Sequence, residues 1–391
     1  MRRSGKARRG SIPRRPRLDE AALFSRLVRN PGGQDLRGMR TKVFFLVVAA
    51  HVGWGALWGC APTETAPVLH IFDGASMGTT YVVRVVTADN WDQPRRDRIK
   101  ALIQAALDDV ESKMSHYRPS SELSRFNQTR DTEPFPVSAE TFDVVRHAYQ
   151  LSEWTDGALD VTVGPVVNAW GFGPLVPESL PPDAALLARL RDHVGYTKLE
   201  LDAGASTLRK TDPEIECDLS AVAKGYGVDR VAEVLREEGL TRFMAEVGGE
   251  IFAVGLNHRG GRWRIAIERP VLEGGVQRVV PLSGHAMATS GDYRNVREVD
   301  GRLLSHTIDP RTGWPVAHQL ASVSVVADLC VLADGLATGL QVLGPDDGYA
   351  LAVERGWAAL FLIRDDTGAI TERATPAFEA LLDAATLGPA G

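Results

Sequence analysis

Hydrophobic and polar positions divide this chain into segments of two periods. Within 95–114, Ile99, Leu102, Ile103, Ala106, Leu107, Val110 and Met114 recur at three- and four-residue spacing. That spacing puts them on one face of a helix. A second helix is expected over 138–155, with Phe142, Val145, Tyr149 and Ser152 on one side and Ser138 as its N-cap. Ser121, just after Pro119, opens a shorter helix between them. Residues 79–86, Thr-Thr-Tyr-Val-Val-Arg-Val-Val, are β-branched and predict a strand, preceded by a turn at Ser76-Met77-Gly78. Further on, the pattern predicts a short helix over 182–194, weak strands at 198–201 and 206–210, and a helix from about 221 to 238. Strands follow at 243–254 and 263–268, broken by Gly248-Gly249-Glu250 and by 257–261. Residues 320–326 alternate as a strand, and 329–343, 345–355 and 375–385 read as helices around a strand at 357–364. No repeat of 20–50 residues is visible.

Several segments fit neither period. Residues 305–316, Ser-His-Thr-Ile-Asp-Pro-Arg-Thr-Gly-Trp-Pro-Val, place an imidazole, a carboxylate, a guanidinium and two prolines together. Proline and Gly313 exclude a regular helix, so this is a shaped polar loop, and the chain is organised around it. Residues 157–173 hold several glycines with Trp170 and Phe172. They form either a core strand and turn packed by aromatics or a backbone that approaches a ligand closely. Residues 288–294, Ala-Thr-Ser-Gly-Asp-Tyr-Arg, read as a turn rich in donors, either an anion cradle or a solvent-facing hairpin.

Two helix starts carry candidate chemistry. Asp218-Leu219-Ser220 leads into the helix near 221, with Lys224 in its first turn. Free N–H groups at a helix start favour phosphate, and a lysine there adds charge; an ordinary capped helix with a solvated Lys224 fits the same residues. Asp334 and Thr338 stand at i, i+4 on the helix after 329. They offer two oxygen donors to a hard cation such as Mg²⁺, or simply form an exposed helix face.

The charge is uneven. Residues 1–59 hold 13 Lys+Arg against Asp19, Glu20 and Asp35, so the chain from Cys60 onward carries a net charge of −16. An acidic body disfavours nucleic acid, which needs phosphate neutralisation, and tolerates divalent cations. Cys60, Cys217 and Cys330 form no CxxC, so zinc-ribbon and thioredoxin motifs are excluded, and Cys217 and Cys330 are expected as buried free thiols, with a disulfide between them the alternative. Residues 1–38 are a basic, Arg- and Pro-rich extension, with Met39 an alternative start. Residues 39–59 have a basic start and an apolar core of signal-peptide length, ending Leu57-Trp58-Gly59-Cys60. This resembles a bacterial lipobox. Cys60 would then be acylated, 60–68 would be a linker, and the body would face outside the cytoplasm on a lipid anchor. A transmembrane anchor is the alternative, although the run falls short of the roughly 20 residues a span requires.

Taken in order, seven stretches resemble the FAD:protein FMN transferase (ApbE) family. They are Met77-Gly78-Thr79, 117–127, 160–173, 218–226, 288–294, 305–316 and 333–338. The resemblance implies a transferase domain over 69–391 with an α+β fold of two intertwined mixed α/β subdomains and the flavin site between them. It implies Mg²⁺-dependent cleavage of FAD, transfer of FMN to a Thr or Ser hydroxyl of an acceptor protein, and release of AMP. Acceptors would be subunits of redox-driven ion pumps or FMN-binding domains on the periplasmic side. By position, Met77, Tyr117, Ala158, Leu159, Asp160, Asp218, Lys224 and Ile308 would line the FAD pocket. Asp334, Thr338 and the Ala221 carbonyl would hold the metal, and Ala337 stands where some members place a third carboxylate. His306 is the candidate base, with Asp309 orienting or assisting it and Arg311 bracing the loop or stabilising the leaving phosphate. FAD hydrolysis to FMN and AMP, or non-catalytic flavin binding, would use the same residues.

Overall fold

The structure, a computed structural model, describes residues 66–386 apart from Glu178, Leu272, Glu273, 293–295, 300 and 301. The expected leader over 39–59, Cys60, and Tyr293 and Arg294 of the expected turn therefore lie outside the described residues.

The chain opens with β1 (Val68–Ser76) and β2 (Thr79–Thr87), an antiparallel hairpin in which Ser76 faces Thr79. Met77 and Gly78 both hold positive φ there, the geometry a two-residue hairpin turn demands. α1 (Gln93–Met114) follows, capped by the Asp92 side chain on Arg95 N–H, and buries Ile99, Ile103, Leu107, Val110 and Met114 as its spacing predicts. Ser121 caps α2 (Glu122–Gln128), β3 (Phe135–Pro136) is a short bridge, and Ser138 caps α3 (Ala139–Trp154). Glu122 accepts from both the backbone N–H and the hydroxyl of Ser138, tying α2 to the start of α3.

Residues 157–173 contain no core strand; they form turns around α4 (Gly164–Ala169), whose Pro165 suits a helix start. α5 (Ala184–Arg191), β4 (Leu199–Asp202) and β5 (Thr207–Lys210) precede α6 (Ala223–Glu237). The chain continues through β6 (Phe243–Val247), β7 (Glu250–Val254), β8 (Trp263–Glu268), β9 (Val276–Leu282) and β10 (His285–Gly291). Residues 288–291, expected in a turn, lie in β10, because pairing with β15 (Leu320–Ala327), in continuation of the 285–287 segment that also pairs with β7, overrides their weak strand preference. Between them come β11 (Val296–Val299), β12 (Arg302–Ser305), β13 (Ile308–Asp309) and β14 (Trp314–Pro315). The last two make a small hairpin of the central loop. α7 (Cys330–Glu354) bends at Gly344-Pro345, where the sequence predicts two helices, and β16 (Ala358–Arg364), β17 (Ile370–Ala374) and α8 (Pro376–Thr386) close the chain.

One antiparallel sheet runs through the molecule in the order β1-β2-β6-β7-β10-β15-β16-β17. Alternation decides what each face buries. Val83 and Val85 of β2, Phe243 and Ala245 of β6, and Ala286 and Ala288 of β10 point to a core shared with α1 and α6. Val323 and Val325 of β15 and Phe361 of β16 meet α3 and α7 on the same side. Their sequence neighbours Met244, Met287, Val326 and Leu360 point the other way, onto β8, β9 and Phe378 of α8. The result is the expected mixed α/β fold, with eight α-helices among the described residues. Cys217 and Cys330 are both buried free thiols. No described helix is long and apolar enough to cross a membrane.

Candidate active site

A cavity of about 600 Å³ opens where α6 and α7 start, against β7 and β10, with the 306–310 loop and the 158–167 segment closing its sides. Its polar centre is a lysine between two carboxylates. Lys224 Nζ lies 3.1 Å from Glu250 Oε1 and 3.4 Å from Asp334 Oδ1. Both carboxylates are 3% exposed. Burial alone would lower the Lys224 ammonium, but Asp334 and Glu250 outweigh it and hold Lys224 above the ordinary lysine value. Burial pushes Glu250 up to about 8, against the pull of Lys224, and also raises Asp334.

Close packing of two helices creates this arrangement. Asp334 Oδ2 accepts the Gly225 N–H at 2.9 Å. A Cβ at Gly225 would lie 2.3 Å from the Cys330 carbonyl oxygen and 2.8 Å from Asp334 Cβ, so only glycine lets α6 approach α7 this closely. The Gly225 N–H is thereby directed to α7, and Ala221, four residues before Gly225, lines the cavity. Thr338 also lines the cavity, its hydroxyl 3.1 Å from Ser290 Oγ. The Asp334 carboxylate, the Thr338 and Ser290 hydroxyls and Ala221 line this part of the cavity, and among the described residues the buried Glu250 Oε2 has no hydrogen-bond partner. This oxygen donor set suits a hard divalent cation.

The other expected residues fall into three groups. Ala158, Leu159, Asp160, Asp218, Lys224, Ile308 and His306 all line the cavity. Asp160 does so with its carboxylate engaged: Oδ1 accepts from the Thr162 N–H and hydroxyl, and Oδ2 from the Tyr196 N–H. It shapes the wall rather than offering a vacant acceptor. Asp218 Oδ1 accepts the Ser220 N–H at 2.8 Å and lies 3.2 Å from His116 Nδ1. The His306 ring stands edge-on to Phe172, centroids 6.4 Å apart.

Met77 and Tyr117 stand behind or beside the wall. Met77, on the β1–β2 turn, packs against both large core clusters. Tyr117 is 59% exposed and donates its hydroxyl to the Phe172 carbonyl at 3.2 Å, so it braces a residue that does line the cavity. Asp309 is committed elsewhere. Its carboxylate takes both Nε and Nη2 of Arg311 at 2.9 Å, and its carbonyl takes the Gly313 N–H at 2.8 Å. Arg311 therefore braces the loop through Asp309. Buried Trp170 fixes the same loop by donating Nε1–H to the Gly313 carbonyl.

Three contributors were absent from the candidate list. Glu250 follows two glycines and reads as a turn residue in sequence. Ser290 sits in the stretch read as a turn. Asn127 closes the 117–127 stretch, and its amide clamps the Cys217 main chain from both sides at 2.8 Å, fixing the segment that delivers Asp218.

The sequence model of the ApbE family matches residues 77–361. The chain belongs to the ApbE family. An FAD:protein FMN transferase of Vibrio cholerae serotype O1 is 45% identical over 331 residues, covering 83% of this chain and 96% of the relative. One of Haemophilus influenzae is 44% identical over 315 residues, covering 79% and 90%. Among solved structures, the flavin transferase ApbE from Vibrio cholerae superposes with a TM-score of 0.73 at 41% identity, covering 80% of this chain and 99% of that one. The Pseudomonas stutzeri flavinyl transferase ApbE in its apo form gives 0.73 at 37% identity, covering 81% and 97%. The family match includes the cavity-lining stretches 158–172, 218–224, 246–251 and 287–310, and Asp334 and Thr338.

Proposed function

We propose that this chain is an FAD:protein FMN transferase that uses Mg²⁺, moves FMN onto a Ser or Thr hydroxyl of an acceptor protein and releases AMP. The observation that carries this reading is Lys224 held between Glu250 and Asp334 on the wall of a cavity large enough for an extended ligand. Phosphoryl transfer asks for neutralised phosphate charge and an aligned nucleophile more than for covalent help. FAD fills the cavity against Ala158, Leu159, Asp160, Asp218 and Ile308, with Met77 and Tyr117 supporting its walls. Lys224 faces the pyrophosphate. Asp334, Thr338 and the Ala221 carbonyl hold Mg²⁺, which when bound neutralises charge on the phosphate oxygens.

The acceptor hydroxyl oxygen forms a bond to the FMN phosphorus. The bond from that phosphorus to the bridging oxygen breaks, and AMP leaves with that oxygen. His306 takes the hydroxyl proton, a task its imidazole suits near neutral pH. Asp309 and Arg311 hold the shape of the loop that presents His306. Acceptors are FMN-binding domains or subunits of redox-driven ion pumps on the periplasmic side, where a lipid on Cys60 tethers the enzyme to the membrane.

Chromatography of the nucleotides checks this reading. With FAD, Mg²⁺ and an acceptor domain bearing a Ser/Thr site, AMP is expected to accumulate without an equal amount of free FMN. Equal AMP and FMN, independent of acceptor, would replace transfer by hydrolysis. Bound FAD with neither product would leave a flavin-binding protein.

A further inference from the structure

The mechanism above uses the buried carboxylate Glu250 only to hold Lys224. Glu250 begins β7 at the end of the β6–β7 hairpin, where Val247 pairs with it, and it is 3% exposed. One oxygen, Oε1, meets Lys224 Nζ at 3.1 Å. The other, Oε2, is buried without any hydrogen-bond partner among the described residues. Glu250 also lines the cavity that holds Asp334 and Thr338. A carboxylate oxygen buried this way costs several kcal/mol unless something positive approaches it.

Lys224 satisfies only half of that demand. It stands between the two carboxyl side chains and reaches one oxygen of each. On the α7 side the donor set is short: Ala337, one residue before Thr338, is fully buried and has no side-chain oxygen. Glu250 lines the same cavity from β7. We propose that Glu250 is a ligand of the divalent-cation centre, its Oε2 supplying from β7 the carboxylate that position 337 on α7 lacks. This rests on the Mg²⁺ reading above. The centre then draws one carboxylate from β7, one carboxylate and a hydroxyl from α7, and a carbonyl from the approach to α6. Two carboxylates and two neutral oxygens suit Mg²⁺ or Mn²⁺, whose remaining positions take water or phosphate oxygen.

The alternative is that Glu250 acts only through Lys224, holding the ammonium in place. The two readings separate in a double-mutant cycle read by metal binding rather than turnover. Mn²⁺ is titrated into the protein with saturating FAD, and free ion is followed by its EPR signal. The variants are Glu250→Gln, Lys224→Met and the pair. Loss of a ligand predicts that Glu250→Gln weakens Mn²⁺ by roughly 10–100-fold, the range that even ligand-supporting partners command. That loss persists when Lys224 is already methionine. If it vanishes in the Lys224→Met background, Glu250 works through the lysine and the proposal is overturned. Glu250→Asp keeps the charge but withdraws the oxygens by one methylene, so it too should lose affinity; unchanged affinity overturns ligation and leaves a distant electrostatic effect. Thermal melts identify any variant that fails to fold, and Glu250→Asp then carries the test. Asp334→Asn separates the two levels. Wild type that binds no Mn²⁺ overturns the Mg²⁺ reading together with this proposal. Wild type weakened by Asp334→Asn but not by the Glu250 variants overturns this proposal alone.

Discussion

Asn127 shows how a single side chain positions a site it does not touch. Both ends of its amide bond the Cys217 main chain, and Lys210, fully buried, reaches the Asn127 and Thr129 carbonyls from behind. Asn127→Ala would leave a buried N–H and C=O without partners, a loss of about 2–3 kcal/mol. The expected outcome is a lower melting temperature and a raised KM for FAD, because Asp218 is the next residue along; an unchanged KM would mean Asp218 is held by its Val161 and Ser220 contacts alone. At this scale the sequence was informative about identity and less so about role. Lys224, Asp334, Thr338 and His306 all reach the cavity. Asp309 does not, because the guanidinium two residues on captures its carboxylate. The role of Glu250 is not legible in the sequence, because burial of a charged residue after Gly-Gly is decided by a hairpin register, which local pattern does not encode.

At the scale of elements, the start of α7 depends on a residue from α6. Leu329 offers no side-chain cap, and Asp229 instead accepts the N–H groups of Cys330 and Val331 at 2.8 and 2.9 Å. Burial lifts the Asp229 carboxyl to about 6, despite those two bonds. Its unfolded counterpart titrates near the ordinary 3.8. Between those values the folded state holds the extra proton, so this group's contribution to stability falls as pH rises from about 4 to 6 and is level above that. Asp229→Asn should remove that slope, which urea denaturation at several pH values measures; a slope that survives would assign it to another group. Gly225→Ala tests the same packing from the other helix. Its Cβ would overlap the Cys330 carbonyl, so overpacking of about 1–3 kcal/mol or more is expected as a drop in melting temperature, along with loss of activity as Asp334 is displaced. An unchanged melting temperature would show that α6 and α7 separate easily. The long helices were legible because their apolar spacing is long and regular. β1 was not, since its inward positions include His70 and Ser76 as well as Phe72. β10 carries Thr289, Ser290 and Gly291, whose strand state comes from pairing with Ser324, Val323 and Ser322 of β15.

For the whole molecule, one sheet carries helices on one face and a β-ribbon with α8 on the other. The cavity sits where β7 and β10 meet the starts of α6 and α7, so groups far apart in sequence converge: Asp218, Glu250, His306 and Asp334. The family resemblance made that convergence legible, since no local pattern pairs Lys224 with residue 334. The central claim is that this cavity passes FMN from FAD to a protein hydroxyl with the help of a divalent cation. Intact-mass spectrometry of an acceptor domain, after incubation with the protein, FAD and Mg²⁺, tests it most directly. The account predicts an FMN-sized gain on a Ser or Thr of the acceptor that disappears with EDTA and with Asp334→Ala. A gain that persists in both controls, or an acceptor of proven competence that gains no mass while FAD is bound, would contradict it.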